Sequence, residues 1–249
     1  MPTDALTLLV AALALAAGGF VKGVVGIALP IVALAGLTSV LPVPVALALL
    51  VGPILATNMW QAAHAGNLRE PLVRFWPMIV CLLAAIWFSA KLVAALDSSV
   101  LYAIIGVIVV LFSATAQFKP AWRVAPSAER WVGPLAGALG GFLGGVSTVW
   151  GPPMVMYFVS LNLDKDAFIR TVGLVWFCAS IPLVLAYWRH GILTPDRAVW
   201  SAVGCVPAFA GLAAGQWLRG RIDQALFRRV LLIVLLLIGL NLVRRAIWG

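Results

Sequence analysis

One seven-residue pattern occurs twice in this chain. Gly18-Gly19-Phe20-Val21-Lys22-Gly23-Val24 near the start returns as Gly140-Gly141-Phe142-Leu143-Gly144-Gly145-Val146 near the middle. A proline follows each copy, Pro30 after the first and Pro152-Pro153 after the second. Each copy opens one half of the chain and sits within an apolar run. The fold is therefore constrained to two related units, interrupted at matching places. In membrane proteins, glycine and proline interruptions at corresponding positions of two halves point to a transporter's binding site.

Composition names the solvent. Hydrophobic residues make up 63% of the 249 residues and charged residues only 10%, against about 25% charged in soluble domains. The mean hydropathy is +1.09. The chain reads as an all-α integral membrane protein. Its pI near 10.4 would suggest nucleic acid in a soluble chain. Here the basic residues fall mainly between apolar segments, where they set topology, and no nucleic-acid partner is expected. Cys81, Cys178 and Cys205 lie in apolar stretches without metal-ligand spacing, and they are expected as buried small hydrophobes. Met1-Pro2-Thr3-Asp4 has no basic n-region, so no cleavable signal peptide is expected.

A crossing helix needs about 20 apolar residues. Six segments meet this, near 43–63, 72–95, 99–117, 167–188, 198–218 and 226–245. Trp60, Phe75-Trp76, Trp188, Trp200 and Trp217 mark span ends, as expected of aromatic residues at headgroup level. Residues 5–18 and 27–41, and again 132–146 and 152–163, form shorter runs that more often re-enter than cross. Each pair is expected to enter the membrane, bend at the glycines and return.

The halves match further. His64-Ala65-Gly66-Asn67-Leu68 and Arg189-His190-Gly191-Ile192-Leu193 each follow the first full span of a half. The expected plan is a broken re-entrant hairpin plus three spans over 1–117, a linker over 118–131, and a second hairpin plus three spans over 132–249. A hairpin returns the chain to its starting side and three spans carry it across, so the second half comes out inverted. With inversion, and Lys22 set aside, lysine and arginine divide 11 to 5 between the two sides; eight alternating spans would give 9 to 7. The positive-inside rule favours inversion, with a cytoplasmic linker and both termini outside.

All eight carboxylates, Asp4, Glu70, Asp97, Glu129, Asp164, Asp166, Asp196 and Asp223, lie at segment ends or in loops. Proton and sodium pumps usually place one at mid-depth, and a cation substrate would want one as counter-charge. The interior suits a neutral or anionic substrate. Lys22 is the one charge inside the first hairpin: either it binds an anion or it snorkels to the interface. Arg170 is either an oxyanion clamp or a topological anchor. Gly23, Gly26, Gly145 and Gly151, with Pro152, would unwind the backbone and aim N–H groups and helix N-termini at an anion. Ser147 and Thr148 add hydroxyl donors, and Trp150 would wall the site. The amides Asn58 and Gln61 bind substrate or join helices. His64 and His190 lie at loop edges and are given no role in catalysis, and no enzyme activity, metal or cofactor is expected.

The paired glycine-rich motifs, their prolines and the two related halves resemble the sulfite exporter TauE/SafE family of bacterial membrane transporters, over essentially the whole chain. Its characteristic residues fall here on Gly19, Gly23, Pro30, Gly141, Gly145 and Pro153. The resemblance implies outward transport of a small sulfur oxyanion, sulfite first, or of an organosulfonate across the bacterial inner membrane. Moving an anion outward down a negative-inside potential gains about 2.3 kcal/mol per charge per 100 mV, and the missing mid-membrane carboxylates are what such a uniporter would show. The alternatives are an anion channel and a transporter of another small organic anion. The expected partners are the small anion and the bilayer, with a second copy of the chain, as a homodimer, left open.

Overall fold

The computed structural model describes residues 4–115, 123–125, 127–163, 165–219 and 221, with parts of 233–247. The side chains of 98, 112–115, 152, 165 and 166 are also outside that description. Residues 118–122 and 126 of the expected linker and most of the 226–245 span therefore lie outside the described residues. Ten helices are described: α1 Ala5–Val25, α2 Leu29–Leu37, α3 Val43–Ala63, α4 Arg69–Ala95, α5 Ser98–Thr115, α6 Glu129–Ser147, α7 Gly151–Ser160, α8 Lys165–Arg189, α9 Pro195–Val203 and α10 Cys205–Leu218. Among the described residues there is no strand.

Among the described residues, five stretches are long and apolar enough to cross a membrane: Ala5–Val25, Val43–Ala63, Arg69–Ala95, Ala167–Arg189 and Pro195–Leu218. Four match the sequence reading, the last as α9 and α10 joined at Gly204. The first corrects it. With 21 residues, α1 spans about 32 Å and is too long to be a short arm. α2 and α7, of 9 and 10 residues, are too short to cross on their own.

The position of the breaks is a second correction. The glycine motifs do not bend the chain; both are helical. α1 runs through Gly18, Gly19 and Gly23 and ends at Gly26, whose φ is 85° and whose N–H bonds Lys22 O at 2.7 Å. α6 runs through its own motif and ends at Thr148, with φ 62° and the same bond to Gly144 O at 2.7 Å. The two helix ends thus close in the same way at equivalent places of the repeat.

The reason the motifs stay helical is packing. A Cβ on Gly23 would lie 2.8 Å from Gly215 Cα, and one on Gly211 would lie 2.9 Å from Phe20 N, so α1 and α10 touch backbone to backbone. Gly137, Gly141 and Gly145 bring α6 equally close to α4: a Cβ on Gly141 would lie 2.7 Å from Ala85 Cβ. Small residues allow such approach in lipid, where packing and interhelical hydrogen bonds replace the hydrophobic drive. On the other face of α6, Trp131, Leu135, Leu139 and Phe142 are exposed, as lipid-facing residues should be.

The short helices fold back on their long partners. Gly18 lies against Leu29 and Ala33, and Gly36 against Ala14; Gly140 lies against Met154, and Gly133 against Tyr157. The long helices fall into two sets. Gly19 meets Ala208 and Gly23 meets Gly215, while Gly52 bonds Ser201 and Trp60 packs on Phe209; α1, α3 and α10 therefore run in one direction. Gly137 meets Met78 and Gly145 meets Ile86, so α6 runs with α4. Gly173 of α8 meets Gln61 while Ser180 bonds Asn58, so α8 runs opposite to α3.

Pro53, inside α3, shows how a broken ladder is repaired in such an interior. It has no N–H for Leu49 O. Ser201 Oγ donates to that carbonyl at 3.0 Å and accepts from Gly52 N–H at 2.7 Å. One hydroxyl closes the gap and ties α3 to α9. Two smaller expectations also change. The three cysteines are free but only half-buried, and Phe75, expected at the interface, is 3% exposed and part of the core.

Candidate functional site

Ile27, Ala28, Pro30 and Ile31 from the first break line a cleft with Thr148, Val149, Trp150 and Gly151 from the second. Val155 and Trp176 complete it. Two breaks 122 residues apart in the repeat therefore share one space. Its enclosed volume is about 20 Å³, on the order of one water molecule. Two helix N-termini border it, α2 with Ala28 as N-cap and α7 with Trp150. Neither has a side-chain cap. Pro30, Pro152 and Pro153 carry no N–H, so the first-turn donors that keep their partial positive charge are those of Leu29 and Ile31 on α2 and of Gly151 on α7.

Beside the cleft lies a buried polar cluster. Lys22, 4% exposed, sits in the last turn of α1. Its ammonium donates to Thr57 Oγ1 at 3.0 Å and to Asn58 Oδ1. Asn58 Nδ2 donates to Ser180 Oγ at 2.9 Å and to Trp176 O at 3.3 Å. Trp176 in turn meets Trp150 edge to face, with centroids 6.4 Å apart. A chain of contacts thus runs from the ammonium to the cleft wall. Thr57 Oγ1 is itself held by donating to Pro53 O at 2.7 Å. Among the described residues no carboxylate is within ion-pair distance of Lys22; the ion pairs found there are Arg74–Glu129 and Arg170–Glu70.

The other expected site residues divide. Thr148, Trp150 and Gly151 line the cleft, and Gly26 caps α1 two residues before Ala28. Ser147 is buried and locally engaged: its Oγ donates to Leu143 O at 2.7 Å and accepts from Val149 N–H at 3.2 Å. Gly23 and Gly145 pack against α10 and α4 rather than facing the cleft. Gly145 O also accepts from Tyr187 Oη at 3.0 Å. Pro152 opens α7, and its side chain lies outside the described residues. Gln61 lies one turn past Asn58 against Gly173, away from the cleft.

Arg170 is elsewhere. It lines a second cleft with Glu70, Pro71, Arg74, Phe75, Leu163, Ala167 and Thr171. Its guanidinium pairs with Glu70 at 3.1 Å, and Arg74 pairs bidentately with Glu129 at 2.8 and 3.2 Å. These pairs join α4 to α8 and α6, about 9 Å along α8 from Trp176.

Thr57, Trp176 and Ser180 were not singled out by sequence. Thr57 adjoins Asn58, which was the only available signal. Arg219, counted among topological charges, donates from Nε to Val24 O at 2.7 Å and so braces the end of α1.

The cleft and its cluster therefore combine helix N-termini, hydroxyls and one buried cation, which is chemistry for a small anion. In comparison with known proteins, the family model described as Sulfite exporter TauE/SafE matches residues 10–242. Neither a curated relative nor a solved structure matches. A match over nearly the whole chain, on a multi-pass helical fold, shows that this protein belongs to the sulfite exporter TauE/SafE family of membrane transporters.

Proposed function

We propose that the chain exports a small sulfur oxyanion, sulfite or a related organosulfonate, across the bacterial inner membrane through the cleft between the two breaks. The observation that carries this is Lys22. Among the described residues it has no counter-charge; a buried cation left so costs several kcal/mol, and an anion bound beside it would supply one. The uncapped N-termini would add a few backbone donors, Leu29 and Ile31 from α2 and Gly151 from α7, since Pro30, Pro152 and Pro153 have no N–H. Arg170 and Arg74, in the second cleft, would attract the anion from the linker side.

The helix directions support an inverted repeat. Each half would contribute a long broken helix, a short return and a first span, α1, α2 and α3 against α6, α7 and α8. Each would then lend its next span, α4 or α9–α10, to the other half's glycine face. The domains would be 1–117 and 132–249 on either side of the linker. α2 and α7 would be the re-entrant pieces. The cleft as it stands is too narrow for a sulfur oxyanion, so transport would require it to widen toward one side at a time.

Purified protein in liposomes tests the reading. Uptake of sulfite, sulfate, thiosulfate and taurine is measured under an imposed potential. Saturable, potential-driven flux of at least one of the sulfur anions is expected. Single-channel currents would favour the channel, and no flux of any of the four would overturn the reading.

A further inference from the structure

We propose that Lys22 also carries a proton, so that each anion crosses together with one proton. The proposal rests on the transport reading above and adds the coupling ion to it. Its basis is the surroundings of Nζ. The two acceptors are neutral, Thr57 Oγ1 at 3.0 Å and Asn58 Oδ1. A neutral amine has two N–H groups and satisfies both. The third ammonium N–H, and the charge itself, have no partner recorded in the cluster. The site is thus complete for a neutral lysine and incomplete for a charged one until an anion arrives.

Among the described residues the groups around it supply no compensating negative charge. On α10, Arg219 braces Val24 O at 2.7 Å and Cys205 lies at the far end. On α8, Arg170 is paired with Glu70. Lys165, Asp166 and Arg189 stand at the ends of α8, and Cys178 and Tyr187 lie between them. Beyond α3, His64 is exposed and stacked on Trp60 with centroids 3.9 Å apart. α2 carries no titratable side chain. Arg219, near this end of α1, opposes a second positive charge, and among the described residues no carboxylate pairs with Lys22.

The cycle balances as follows in charge and protons. With the site open inward, the Lys22 amine takes a proton from water and the anion binds beside the ammonium. The site then opens outward and the anion leaves. The now uncompensated ammonium gives one proton to water, and the amine lone pair remains. The empty site returns neutral, without carrying a buried charge across the bilayer. One anion and one proton have moved outward. A dianion still carries net charge −1, so the membrane potential still drives export; a monoanion would cross with no net charge. The amine does what a mid-membrane carboxylate does in proton-coupled pumps, with the opposite sign.

The test uses the full chain in liposomes loaded with a pH-sensitive dye, with the potential clamped by potassium and valinomycin. Thiosulfate and sulfate are the probes, because both remain fully ionised near neutral pH and carry no proton of their own. The expected result is that probe entry acidifies the lumen by one proton per anion, and that a pH gradient alone drives probe flux. Lys22→Arg, which keeps the charge but cannot deprotonate, is expected to lose the pH-driven flux by at least about tenfold while moving probe under an imposed potential. Wild-type probe flux without lumen acidification would overturn the proposal and leave the transport reading intact. So would proton movement undiminished in an active Lys22→Arg. If Lys22→Arg does not insert, the wild-type stoichiometry alone decides. No flux of any sulfur anion in the wild type would overturn the transport reading, and the proposal with it.

Discussion

Asn58 connects three helices: it stands on α3, accepts from Lys22 of α1 and donates to Ser180 and Trp176 of α8. Asn58→Leu leaves the buried ammonium with Thr57 as its one acceptor in the cluster and takes away the donor to Ser180, and each lost bond to a buried polar group costs about 1–3 kcal/mol. It is expected to lower both thermal stability in detergent and sulfite flux. Gln61→Leu, one turn away, should change neither by more than a small fraction of that. Equal effects of the two would contradict the cluster. Lys22→Ala is expected to weaken transport by more than about tenfold, Lys22→Arg to keep part of it, and Arg170→Ala to cost less than Lys22→Ala, because Arg170 sits in the second cleft. Flux normalised to inserted protein checks the order. Lys22 and Asn58 were legible in the sequence, since a charge and an amide inside apolar runs announce themselves. Thr57 and Ser180 were not, because hydroxyls are ordinary in spans. Nothing local tells that Ser180 faces a residue 122 positions away.

At the scale of elements, glycine was read correctly as a marker and wrongly as a hinge. A glycine can free the backbone or let another backbone approach, and its own sequence does not say which. Here Gly19, Gly23, Gly141 and Gly145 serve approach. The turns fall a few residues later, at Gly26–Ala28 and Thr148–Trp150, where φ is positive at Gly26, Ala28 and Thr148. Gly23→Leu and Gly141→Leu should therefore each destabilise the fold, by about 1–3 kcal/mol as overpacked contacts do. The loss would appear as a lower unfolding temperature in detergent. Gly151→Ala should be neutral for stability, because a Cβ there meets nothing within 4 Å. A large loss in Gly151→Ala, or none in Gly23→Leu, would show that the packing faces are assigned wrongly. Helix existence was legible for most spans. The length of α1 was not, because its apolar pattern continues through a motif that looked like its end.

For the whole molecule, the two-half plan came from the repeated motif and the charge counts, and the mutual packing of α1 with α10 and α6 with α4 came only from the structure. Contacts between helices nearly 200 residues apart leave no trace in periodicity. The inverted plan predicts that reporters in the 118–131 linker are cytoplasmic and that one at Gly249 is periplasmic. A cytoplasmic reporter at Gly249 would contradict it. The central claim is that both breaks build one anion site, and the sign of a single charge in the cleft tests it most directly. Thr148 lines the cleft with φ 62°, a backbone that asparagine and aspartate both tolerate. Sulfite efflux from liposomes, normalised to inserted protein, is compared for Thr148→Asn and Thr148→Asp. The account predicts that Thr148→Asn retains most of the wild-type rate and that Thr148→Asp loses at least about tenfold, equivalent to about 1.4 kcal/mol. Wild-type rates in Thr148→Asp would place the anion's path elsewhere and contradict the account.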